Sequence, residues 1–103
     1  MDHRSRVEAV IHRVVDELNA QLPKPQRLEK SPETVLVGER ARLDSLGLVN
    51  LVVALEQRIE DELGATVVLT EDPELLSEGG PCSTLGRLAD HLTELLTRRE
   101  SHV

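Results

Sequence analysis

An all-α fold is what this sequence predicts: a small four-helix bundle of three longer helices and one short one, with a long first loop. Three observations point there. Three stretches repeat apolar residues at the three-and-four spacing of a helix that buries one face. Capping residues, prolines and a glycine stand where those stretches begin or end. Two-residue alternation, the mark of a sheet, is not sustained anywhere beyond one short segment. A chain of 103 residues suits one domain spanning 1–103, with the ordered core expected over residues 5–97.

Composition narrows the function classes. Hydrophobic residues make up 39% of the chain but none is aromatic, so the core must be assembled from Leu, Val, Ile and Ala. The same absence removes the stacking platforms on which single-stranded nucleic acid is read. Nineteen acidic against twelve basic residues give a net charge of −7, which repels a phosphate backbone and attracts partners with basic patches. Cys82 is the only cysteine, which leaves no intramolecular disulfide and no cysteine-based zinc site. No apolar run is long enough to span a bilayer and no signal-peptide apolar region follows Met1, so a cytoplasmic protein without a membrane span is the expectation.

The first helix is expected from Ser5 to Gln21. Val7, Val10, Ile11, Val14, Val15, Leu18 and Leu22 make one stripe, and Pro23 ends the run by biasing its predecessor away from helical geometry. Residues 23–44 contain Pro23, Pro25, Pro32 and Gly38 with no sustained period, a long connection for so small a domain and one that implies function. Within it Ser31-Pro32-Glu33 can start a short turn, and Val35, Leu36 and Val37 are expected to plug the loop onto the core.

The second helix is expected from Asp44-Ser45 to Gly64, with Asp44 or Ser45 as cap and the glycine as left-handed stop. Leu48, Leu51, Val52, Leu55, Ile59 and Leu63 fall on one side, whereas Leu46, Val49 and Val53 fall roughly opposite, beside Asn50 and Gln57. One stripe serves the fold; the second calls for a partner. Ala65 to Thr70 is rich in β-branched residues and reads as extended, although a lone pair with Val35-Leu36-Val37 would be too weak to count as a sheet. Asp72-Pro73-Glu74-Leu75-Leu76 carries the signs of a short helix ended by Gly79-Gly80-Pro81. A last helix, capped by Ser83 or Thr84, lines up Leu85, Leu88, Ala89, Leu92, Leu95 and Leu96. Cys82, at its entrance, reads as an inert, partly buried thiol.

Asp44-Ser45-Leu46 at a helix start, followed by an aliphatic helix through Ala54-Leu55-Glu56-Gln57, resembles the attachment site of acyl carrier proteins. The resemblance takes in the amphipathic first helix, the long loop and the short apolar and acidic segment before the last helix. It implies an acyl-carrier-type bundle in which Ser45 bears a covalent 4'-phosphopantetheine derived from coenzyme A, with Asp44 and Leu46 as the flanking motif. Acyl groups would ride on that arm as thioesters. Leu46, Val49, Asn50, Val53 and Glu56 would meet the partners. These would be a phosphopantetheinyl transferase and acyl-activating, condensing or acyl-transferring enzymes with basic docking surfaces. The short segment around residues 72–76 would be the helix that moves to admit or release the acyl chain. Gly47 and Asn50 stand where the fatty-acid type is often acidic, and Gln57 and Arg58 follow Glu56. That departure implies a dedicated carrier in a specialised fatty-acid, polyketide or peptide pathway, a monomer with no catalysis of its own.

Other readings of the same residues exist. Ser45 read alone is a helix cap, as most serines at helix starts are. An unmodified carrier-fold interaction module would use the Leu46–Val49–Val53 face for one partner. A hydrolase needs a base near the serine and an oxyanion hole, but His3, His12, His91 and His102 lie in no catalytic motif and there is no nucleophile elbow. Glu56, Glu60 and Asp61 read as a solvated face rather than paired catalytic carboxylates, and no metal-ligand spacing stands out.

Overall fold

A computed structural model describes residues 3–38, 40–69, 80 and 83–101. Among them the chain forms three helices and no strand: α1 (His3–Asn19), α2 (Ser45–Leu63) and α3 (Leu85–Ser101), with a single 3-10 turn at Lys24–Gln26. The short helix expected at residues 72–76, and Cys82, lie outside the described residues.

Helix α1 is the central element, packed against both α2 and α3. Its stripe of Val7, Val10, Ile11, Val14 and Val15 is buried, as the spacing requires. The helix begins two residues before the expected Ser5 and stops two before the expected Gln21. At that end the bonds tighten: Ala20 N–H reaches Asp16 O, but Gln21 and Leu22 donate to Leu18 and Asn19, only three residues back. Asn19 then takes over from the helix. Its amide donates to Leu28 O and accepts from Leu28 N–H, both at 2.8 Å, pinning the loop where buried Leu28 enters the core.

The long loop is a wall of the fold rather than a tether. Leu36 N–H donates to Ser83 O at 2.8 Å, and Val35 makes an isolated antiparallel bridge with Thr84. Among the described residues Val35–Val37 do not pair with the segment after α2; the loop pairs with the start of α3 instead. That arrangement also answers where the first N–H groups of α3 go. Leu85 donates to Thr34 O at 3.0 Å and Gly86 to Pro32 O at 2.9 Å, while Arg87 donates to the Thr84 hydroxyl at 3.1 Å. Thr84 is thus the cap. Ser83, the other candidate, is buried and donates its hydroxyl to Gly80 O. Ser31-Pro32-Glu33 forms a turn and not a helix, closed by Thr34 N–H on Ser31 O and Glu33 N–H on the Ser31 hydroxyl.

Past Gly64 the chain is extended, with Ala65, Val67 and Leu69 buried and Thr66 and Val68 exposed. Alternation of that kind follows from a period of two laid along a helix bundle. Ion pairs tie the helices on the outside: Arg4 to Glu8 and Asp90, and a chain running Arg13, Glu62, Arg58, Glu17 between α1 and α2. Hydrogen bonding to Asp90 holds the Arg4 guanidinium above its ordinary, already high, pKa. Exposed pairs contribute little each; the aliphatic core carries the fold. No helix among the described residues is long and apolar enough to cross a membrane.

Candidate functional site

The start of α2 is built from residues with separate tasks. Leu43 is buried and precedes the cap; Leu48, four positions into the helix, is buried too. That spacing is a hydrophobic staple, which sets the angle at which the loop enters the helix. Asp44 is the N-cap: its backbone is extended and its carboxylate Oδ1 accepts Gly47 N–H at 2.7 Å. Ser45 is the first helical residue, so the capping role open to either residue in the sequence belongs to Asp44. Whether the Ser45 hydroxyl stands open at the helix mouth lies outside what the structure describes.

Backbone accounting separates this helix start from that of α3. Gly47 N–H goes to Asp44 Oδ1 and Leu48 N–H to Asp44 O at 3.0 Å. Leu46 N–H meets no acceptor among the described residues, whereas the corresponding Gly86 N–H of α3 is taken by Pro32 O. Among the described residues, then, the α3 mouth is plugged by the chain and the α2 mouth is not. The α2 mouth presents a donor and the positive end of the macrodipole, an environment that suits an attached phosphate diester.

Down the helix, the two faces separate as their spacing demands. Leu48, Leu51, Val52, Leu55 and Ile59 are buried, with Leu63 packed at the edge of the core. Leu46 is 68% exposed and Val53 36%, with Val49 half-buried between them. Leucine and valine in those positions do not serve the described core, and they form the apolar surface nearest Ser45 along α2.

Two further residues expected on that surface, Asn50 and Glu56, also have places within the fold itself. Asn50 is exposed but lines a groove of about 210 Å³ between α1 and α2, with Val14, Leu18, Leu51 and Ala54 as its apolar lining. Glu56 is half-buried, and its Oε2 accepts the backbone N–H of Leu69. The carboxylate fastens the extended segment after α2 to the helix. Exposed Glu60, on the turn after Val53 and Glu56, is the acidic group presented to solvent there. No sequence pattern marks Glu56 as a clasp, because the partner is a backbone amide thirteen residues away.

Asn19, Thr34 and Ser83 belong to the same class of residues whose role the sequence does not display. The Asn19 side chain bonds Leu28, and the carbonyls of Thr34 and Ser83 take the N–H groups of Leu85 and Leu36, which fastens the loop to α1 and to the start of α3. Neither a protein-family model, nor a curated protein, nor a solved structure matches this chain.

Proposed function

We propose that this protein is an acyl or peptidyl carrier modified on Ser45 and without catalysis of its own. The observation that supports it is the division of labour at the α2 start. Asp44 makes the capping bond, which removes the commonest structural reason for a serine at Ser45. Leu46 N–H and the helix dipole favour a phosphate there, and the exposed Leu46 and Val53 supply an apolar landing surface for an enzyme. A 4'-phosphopantetheine from coenzyme A would supply a thiol for holding acyl groups as thioesters.

In that reading this chain binds and orients. Tethering raises the effective concentration of cargo at whichever enzyme seats on α2. A patch this small, on a chain that is acidic overall, gives weak complexes that form fast with basic partners and dissociate fast. Those partners are a phosphopantetheinyl transferase and the acyl-activating, condensing or acyl-transferring enzymes of one dedicated pathway, meeting a monomeric carrier in the cytoplasm.

Incubation of the full chain with coenzyme A and a broad-specificity phosphopantetheinyl transferase tests this, with intact mass as readout. Gain of one arm, abolished in Ser45→Ala, is the expected result. A folded protein that gains none instead identifies an unmodified interaction module working through Leu46, Val49 and Val53.

A further inference from the structure

The long loop carries a net positive charge in a chain that is acidic overall. Residues 23–43 hold five basic residues against three acidic ones, while the rest of the chain holds seven against sixteen. Outside that loop four arginines are engaged with carboxylates: Arg4 with Glu8 and Asp90, Arg13 with Glu62, Arg58 with Glu17 and Glu62, Arg98 with Glu94. Inside it, among the described residues, no carboxylate pairs with Arg27, Arg40 or Arg42. Arg27 and Arg42 donate to backbone carbonyls instead, Leu22 O at 3.1 Å and Arg27 O at 2.8 Å.

Arg40 and Arg42 line a cleft of about 170 Å³ whose other walls are Glu29, Thr34 and Val35. Its walls are held in place. Thr34 donates its hydroxyl to Glu29 O at 2.7 Å and its carbonyl takes Leu85 N–H, and Ala41 N–H closes on Gly38 O at 3.1 Å. Buried Leu36 and Leu43 anchor both sides of the cleft in the core. Arg42 is oriented by one of its five donors and keeps the others. Two arginines on a preformed wall, in a chain that is acidic elsewhere, suit a small oxyanion, and a phosphate brings the most charge to two guanidinium groups.

We infer that this cleft binds a phosphate group, as the free ion or as a small monoester, through Arg40 and Arg42. Glu29 on the rim opposes the ligand and sets the affinity low. The site lies in the loop ahead of α2 and does not depend on modification of Ser45.

Titration of the full chain with inorganic phosphate, and separately with glycerol 2-phosphate, tests it, with chloride holding ionic strength constant and backbone amide NMR shifts as readout. Saturable shifts are expected at the amides of Thr34, Val35 and Arg40 to Arg42, with a dissociation constant on the order of 1 mM, as befits two exposed charge-assisted contacts. Arg40→Gln, which breaks no described bond, weakens binding about tenfold, and Glu29→Gln tightens it about threefold by removing the opposing charge. Tighter binding of inorganic phosphate assigns the free ion, preference for glycerol 2-phosphate assigns an ester, and equal affinity supports a site that reads the phosphate group alone. Shifts that fail to saturate, that spread over the arginines of all three helices, or that persist unchanged in Arg40→Gln overturn the inference.

Discussion

Asp44 Oδ1 accepts the backbone N–H of Gly47 at 2.7 Å, which makes the residue before Ser45, and not Ser45, the cap of α2. Asp44→Ala is therefore expected to cost about 1 kcal/mol, and Asp44→Ser to recover most of it. Ser45→Ala should stay within about 0.5 kcal/mol of the parent. Urea denaturation of the three variants reads the order directly. A larger loss at Ser45 than at Asp44 would move the cap and remove the support it lends to a modified serine.

Two glycines are required for different reasons, and one substitution separates them. Gly64 closes α2 with φ at 64° and its N–H on Glu60 O, and a Cβ there would meet nothing within 4 Å. Gly64→Ala should cost about 1 kcal/mol from backbone conformation alone, and Gly64→Asn less, since asparagine tolerates the left-handed region. At Gly86 a Cβ would stand 2.9 Å from Pro32 O, the carbonyl that takes the Gly86 N–H. Alanine improves helix propensity there but pushes the loop off α3, for a net loss of about 1–3 kcal/mol. Asparagine does not relieve that clash. Thermal melts that show rescue by asparagine at both sites would contradict the close approach.

Val53 and Leu55 are two residues apart on α2, yet Leu55 is fully buried and Val53 is 36% exposed. Leu55→Asp places an unpaired charge in an aliphatic core and should cost on the order of 4 kcal/mol or more, enough to abolish folding. Val53→Asp should keep its helical circular dichroism while weakening partner exchange on that face. If both variants are equally folded, or equally unfolded, the facing of α2 is wrong.

Glu56 holds Leu69 N–H, so its removal should be felt in the segment after α2 before it is felt in any complex. Glu56→Ala is expected to cost about 1–2 kcal/mol and to speed amide exchange at Leu69, with little change in the middle of α1. Unaltered exchange at Leu69 would show that the carboxylate does not clasp it. For the same reason, Glu60→Lys is the cleaner probe of charge-guided docking, because exposed Glu60 can be reversed without loosening that segment.

How much of this was legible in the residues follows from where each partner sits along the chain. Periodicity located the buried stripes of all three helices, because a helix face is a local property that recurs every three or four residues. Punctuation located Asp44 and Gly64, because capping chemistry acts within one turn. The pair at the α2 start illustrates the boundary: the sequence offered Asp44 and Ser45 equally, and only coordinates assigned the cap. Pairing of the long loop with Thr84, the clasp of Asn19 on Leu28 and that of Glu56 on Leu69 join segments 9 to about 50 residues apart. No local pattern encodes such partners.

By itself, then, the sequence determined that this protein is helical, that α2 is apolar on two sides, and that a serine stands where it begins. Those are consequences of spacing and of side-chain chemistry that acts within a turn. Tertiary structure decided which α2 side chains remain at the surface, which acidic group is spent on the chain's own backbone, and that, among the described residues, one helix mouth is plugged while the other keeps a donor. Each of those depends on a distant segment arriving at a particular place, and it is the burial of the aliphatic core that brings it there.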